Sequence, residues 1–139
     1  MWTWSIKDYI KTLASTLGIT PQAVEAHVNQ DPALPLCADI ANMLKHGVLE
    51  NSRSGRWPVS VTPSYSITHD RSAPASPIRE ISVSATAIRI DIANPALVEV
   101  QFKVKARDGS LLPDGLAVVA DAISSWEGLL LRLGTKVTV

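Results

Sequence analysis

The chain has 139 residues, enough for one ordinary domain or two small halves sharing a core, and its hydrophobic fraction of 46% excludes global disorder. Thirteen basic residues balance thirteen acidic ones, so no long-range field draws in nucleic acid or an anionic membrane, and neutral subunits associate readily. The single Cys37 excludes an intramolecular disulfide and a cysteine-rich zinc site, and no apolar run reaches the roughly 20 residues a membrane span needs.

MWTWSIKDY at the start has no basic region followed by an apolar run, so no signal peptide is expected. The first helix is expected from a capping-box-like pair, Ser5 with Asp8, and its stripe is Ile6, Tyr9, Ile10, Leu13 and Leu17, closed by Gly18. Thr20-Pro21 is an N-cap and first-turn pair for a second helix reaching about Gln30, where Asp31-Pro32 stops it. A third helix from about Pro35 to His46 turns Leu36, Ile40, Met43 and Leu44 inward and ends at Gly47. NSRSGRWP (51–58) reads as a loop, VSVTPSYSIT (59–68) as strand-like, and the proline-bearing stretch at 69–77 as a linker.

In ISVSATAIRIDI (81–92) the alternation slips phase: Ile81 and Val83 share one face, and Ile88, Ile90 and Ile92 the other. One bulge near Ala85–Ile88 would restore them all to one side. LVEVQFKVKA (97–106) puts Val98, Val100, Phe102 and Val104 inward against solvated Glu99, Gln101, Lys103 and Lys105, which favours an antiparallel sheet. A helix from about Gly115 to Leu133 is expected to bury Leu116, Val119, Ala120, Ile123 and Leu130, and TKVTV (135–139) to form a last strand. No internal repeat is visible. The expected fold is α+β: three N-terminal helices followed by an antiparallel β-β-α-β unit, with a helical half at 1–68, a linker at 69–78 and a β-β-α-β half at 79–139.

Chemistry finds little purchase. Catalysis needs a nucleophile, a base and an orienting group brought together. None of His27, His46 and His69 sits in a site motif, and the adjacent His69-Asp70 would point to opposite faces of an extended segment. Cys37 reads as a small buried hydrophobe, Asp31 and Asp39 are too isolated for a calcium loop, and Asp108-Gly109 is turn chemistry. No phosphate loop or dinucleotide fingerprint is present, so no catalytic residue, metal or cofactor is expected.

Two stretches resemble known families. LASTLGITPQAVEAHVNQ (13–30), with small Ala14 at the crossing, Gly18 at the turn and Val24 in the second helix, is similar to a helix-turn-helix. With MLKHGVLENSRSGRWPVSVTPSYSIT (43–68) it resembles winged-helix proteins over residues 10–68. That resemblance implies a recognition helix in the major groove, with Gln22, His27 and Asn29 facing bases and Arg53 and Arg56 meeting the backbone. The recognition helix itself has no Lys or Arg, residues 1–71 carry six basic and six acidic side chains, and His27 stands where the motif has an aliphatic core residue.

LVEVQFKVKARDGSLLPDGLAVVADAISSWEGLLLRLGTKVTV (97–139) resembles the C-terminal α/β module of contractile phage tail and baseplate components, through its alternating strand, polar turn, ADAISSW helix and closing strand. That resemblance implies packing and assembly, with no catalytic residue to carry over. Trp2, Trp4 and Trp57 lie outside the core stripes, where tryptophans anchor interfaces or cover the domain's own core, and Thr135, Val137 and Val139 on the terminal strand suit pairing within the chain's own sheet or with a neighbour's sheet edge. The expected function is a non-enzymatic assembly subunit of a phage tail, neck or baseplate, partnered by copies of itself or other assembly proteins. Its place is the cytoplasm, or a virion assembled in the host cytoplasm. The alternative is a winged-helix DNA-binding regulator dimerised by its C-terminal half, the one case with a nucleic-acid partner.

Overall fold

The computed structural model describes residues 2–67 and 78–133, and the side chains of residues 2–5 lie outside that description. Three helices come first: α1 (Trp2–Thr12), α2 (Pro21–Gln30) and α3 (Ala33–His46). Strands β1 (Pro58–Ile67), β2 (Ile78–Val83), β3 (Ile88–Ile92) and β4 (Val98–Ala106) follow, then helix α4 (Gly115–Arg132). The fold is α+β, with β1 paired to β4 and β2 antiparallel to β3 in two small sheets.

The helix boundaries follow local chemistry. Thr20 accepts a hydrogen bond from the Ala23 N–H at 3.2 Å, and Pro21 sets the first turn of α2. Asp31 ends α2 and also begins α3, since its Oδ1 accepts from the backbone N–H groups of Ala33 and Leu34. Gly47, at φ 76°, closes α3 in the left-handed conformation that costs a glycine no steric strain. The first helix differs from expectation. It begins at Trp2, so Ser5 lies inside it, and only Ile6, Ile10 and Leu17 of its stripe reach the core, while Tyr9 and Leu13 are exposed.

Two compact units result: residues up to Thr62 together with those from Phe102 onward, and Pro63–Gln101. The chain is thus divided at two places, with α4 joining the N-terminal helices. In the first unit α3 is central, and Leu34, Leu36 and Cys37 pack with Ile10 of α1, Val24 and Val28 of α2, and Val118, Ala122 and Trp126 of α4. Of the expected inner face of α4, Leu130 packs against this core, and the rest is corrected. Leu116, Val119 and Ile123 are exposed at 49%, 39% and 42%, whereas Trp126 is 1% exposed. The helix carries two apolar stripes, and the one bearing the large indole is the one that packs, because a buried tryptophan contributes most.

The start of α4 is fixed to β4. Asp114 accepts from the N–H groups of Leu116 and Ala117 with one oxygen and from the Phe102 N–H at 2.6 Å with the other. A Cβ on Gly115 would stand 3.1 Å from the Cβ of Phe102, so the glycine permits this close approach. Along β4, Val104 and Ala106 are buried while Val100 is exposed, so the inward face expected of the whole strand belongs to its last third.

In the second unit the phase slip at 81–92 is a chain reversal, not a bulged strand. Ser84 to Ala87 form the turn, with the Ser84 N–H donating to the Ala87 carbonyl and the Ser84 Oγ accepting from the Ala87 N–H. Ile81 then pairs with Ile90 and Val83 with Ile88, which brings the aliphatic residues to one side as the alternation demanded. The irregularity sits instead between Ile78 and Glu80, and Ile78 pairs with Ile92. The terminal strand expected at 135–139 and the stretch at 68–77 lie outside the described residues.

Candidate functional site

The residues singled out for DNA have mixed placements. Gln22 and Asn29 are exposed on α2, and Arg56 is exposed in the loop before β1. His27 is turned the other way: its ring centroid lies 5.7 Å from that of Trp126, and its Nε2 lies 3.1 Å from the Ser125 Oγ on α4. His27 thus packs inward, unlike Gln22 and Asn29 on the same helix. Arg53 lies 3.5 Å from the Glu25 carboxylate, which also takes Lys7 at 3.4 Å and Lys11. The hydrogen bond from Lys11, with the charges of Lys7 and Arg53, holds the Glu25 carboxyl below its ordinary range against the opposing effect of burial.

Of the interface candidates, Trp57 is half-buried, with the Arg107 guanidinium 4.0 Å from its ring centroid and the Arg107 N–H donating to its carbonyl at 2.9 Å. It adopts φ 49°, in the left-handed region that bulky residues avoid, and its N–H donates to the Ser52 Oγ at 3.3 Å. The side chains of Trp2 and Trp4, and all of Thr135, Val137 and Val139, lie outside the described residues, as does His69-Asp70.

Asp39 has a role that its sequence isolation concealed. It is 1% exposed, and its carboxylate accepts from the Ser52 and Ser54 hydroxyls and from the backbone N–H groups of Arg53 and Ser54. Four donors on one carboxylate satisfy its buried charge and clamp the loop at 52–54 onto α3. The loop therefore has a fixed shape between Asp39 at one end and Arg107 at the other.

One polar trio matches a hydrolase triad in residue type but not in arrangement. The Ser125 Oγ meets His27 Nε2 at 3.1 Å, the Asp31 carboxylate stands on the Ser125 side, and His27 Nδ1 lies 3.5 Å from Arg132. In a triad the carboxylate orients the imidazole through Nδ1 and the imidazole activates the hydroxyl. Here the carboxylate sits on the hydroxyl, and a guanidinium occupies the Nδ1 side. Burial opposes the charge on Asp31, but the hydrogen bonds from Ser125, Leu34 and Ala33 outweigh it and lower its pKa. The arrangement ties α2, α3 and α4 together.

Two apolar surfaces stand out among the described residues, and sequence reasoning missed both. The first is the outer stripe of α4, Leu116, Val119 and Ile123, continued by exposed Leu131. The signal was present: α4 has only Asp121, Glu127 and Arg132 as charges in 18 residues, and a helix apolar on most of its circumference belongs in an interior. The second is the β2–β3 hairpin. Its aliphatic face is built from the pairs Ile81–Ile90 and Val83–Ile88, with exposures of 56%, 45%, 73% and 70% in that order. Its other face pairs Glu80 with Asp91 and Ser82 with Arg89, and Arg79 reaches Asp91 at 3.4 Å. Two strands with one bare aliphatic face are marginal in water without a further layer.

Among the described residues no group of three His, Cys, Asp or Glu side chains is placed to hold a metal ion, and no helix is long and apolar enough to cross a membrane. A concavity of about 600 Å³ is lined by Asn42, His46, Val48, Leu49, Glu50 and Asn51, and brings no nucleophile to the His46 imidazole. Compared with family models, curated proteins and solved structures, the chain matches none.

Proposed function

We propose that the chain is a non-enzymatic assembly subunit that works by burying apolar surface against copies of itself or other assembly proteins, as tail, neck and baseplate components of phages do. The observation that carries this is the second stripe of α4, an aliphatic row left in solvent on a helix whose composition suits an interior. The bare hairpin face and the zero net charge support it, since neither sets a barrier between neighbours. The compartment that goes with this role is the cytoplasm, or a virion assembled in it.

Light scattering on the purified full chain after size exclusion tests the proposal. A mass above that of one chain, rising with concentration, is expected. A protein that stays monomeric at high concentration and joins no particle fraction sinks it. Duplex-DNA binding that weakens steeply with salt, and falls when Arg53 and Arg56 become Ala, would favour the regulator instead.

A further inference from the structure

We propose that the exposed face of β4, with the Arg107–Trp57 pair at its end, binds single-stranded nucleic acid: phosphates lie along the strand and a base lies against Arg107. This goes beyond the assembly role and is independent of it. The alternation of β4 is the starting point. Val104 and Ala106 are buried, while Lys103, Lys105 and the next residue in phase, Arg107 just past the strand, are exposed. Three cations thus follow one another at every second position, about 6.6 Å apart along an extended chain. The nearest acidic residues in sequence are Glu99 and Asp108, and the Asp108 carboxylate is occupied by the N–H and hydroxyl of Ser110. Among the described residues the row takes no salt bridge, whereas Lys7, Lys11 and Arg53 converge on Glu25.

The end of the row carries a ledge. The Arg107 N–H donates to the Trp57 carbonyl at 2.9 Å, and the guanidinium lies over the indole, 4.0 Å from the ring centroid. Trp57 is fixed in turn: its N–H donates to the Ser52 Oγ, and the Ser52 hydroxyl donates to Asp39. An exposed guanidinium backed by an indole is a flat cationic surface, and unpaired bases stack on such planes.

Charge and shape together select a single strand over other polyanions. A linear row at a fixed step suits the successive phosphates of an extended strand, and a stacking plane is useful only to a base that is free of a duplex. An acidic peptide or an anionic membrane meets the charges but brings no base. The chain has no net charge, so the attraction is local, acting within about 10 Å at 0.1 M salt. Three phosphate contacts on a single strand give a slope of log affinity against log salt of about −2.

Fluorescence anisotropy of a short labelled oligothymidylate, titrated with the full chain from low to moderate salt, tests the site. Saturable binding with that slope is expected, and tighter binding than to a duplex of the same length. Lys103→Gln with Lys105→Gln should flatten the slope to about −0.7, because one contact remains. Arg107→Lys keeps the charge and loses the plane, so the slope should hold while binding weakens about fivefold or more. Thermal melts matching the wild type show that both variants are folded.

Equally tight binding to the duplex, to polyglutamate or to phosphatidylserine vesicles overturns the proposal. So does an unchanged slope in the lysine variant, or full affinity in Arg107→Lys. A chain that binds the strand but stays monomeric keeps this site and loses the assembly role, and one that assembles without binding the strand does the reverse.

Discussion

The helical unit and the β2–β3 hairpin use the same aliphatic residues to opposite ends. In the first, Val24, Val28, Leu34, Leu36 and Val118 are consumed by the fold and surround Trp126. In the second, Ile81, Val83, Ile88 and Ile90 line up as regularly and are exposed. Helix α4 contains both conditions, one stripe sealed and one bare. The comparison separates surface that holds the molecule together from surface available to a neighbour, a distinction that hydrophobicity alone does not make.

The largest expected effect lies in the sealed region. Trp126→Ala removes the largest side chain of the core and should cost about 3–5 kcal/mol in a denaturant titration, enough to unfold a marginal domain. Asp39→Ala leaves the donors of Ser52, Arg53 and Ser54 without their acceptor. A loss of about 2–3 kcal/mol is expected, with faster proteolysis in the 51–57 loop.

Glu25→Gln should cost about 1 kcal/mol at neutral pH, because its ion pairs are partly exposed. The sign of its pH dependence follows from its lowered pKa. The carboxylate stabilises the fold above the ordinary glutamate value of about 4.3 and loses that effect as pH falls through the lower folded value. Thermal melts from pH 6 to pH 3 should therefore fall less in Glu25→Gln than in the wild type.

Smallest of all, Val83→Ser and Ile123→Ser should each change the stability of the isolated chain by no more than about 0.5 kcal/mol. If either melts the monomer as Trp126→Ala does, the surface assigned to neighbours belongs to the fold.

Local signals in the sequence were readable where a single residue type settles the backbone. Thr20-Pro21, Asp31-Pro32 and Gly47 placed helix ends within a few residues, and the alternation over 97–106 placed β4. The hairpin was hidden because its turn, Ser84-Ala85-Thr86-Ala87, has no glycine, proline or asparagine and is closed by a serine side chain. The facing of α4 was ambiguous because two apolar stripes fit one helical period, and only the position of α3 selects between them. The clamp at Asp39 spans 13–15 residues and the contact of His27 with Ser125 spans 98, so no local pattern announces either. Long-range polar contacts become visible only when packing has fixed which surfaces meet.

Asp114 serves β4 and α4 at once, and this has a mechanical consequence. With one oxygen on the strand and the other on the first turn of the helix, and glycine beside it to let the backbones touch, the joint behaves as a rigid elbow without slack. The outer row of α4 is then presented at a fixed angle to the end of β4, so under the assembly role proposed above a partner would meet a surface already aimed and spend little free energy on ordering it.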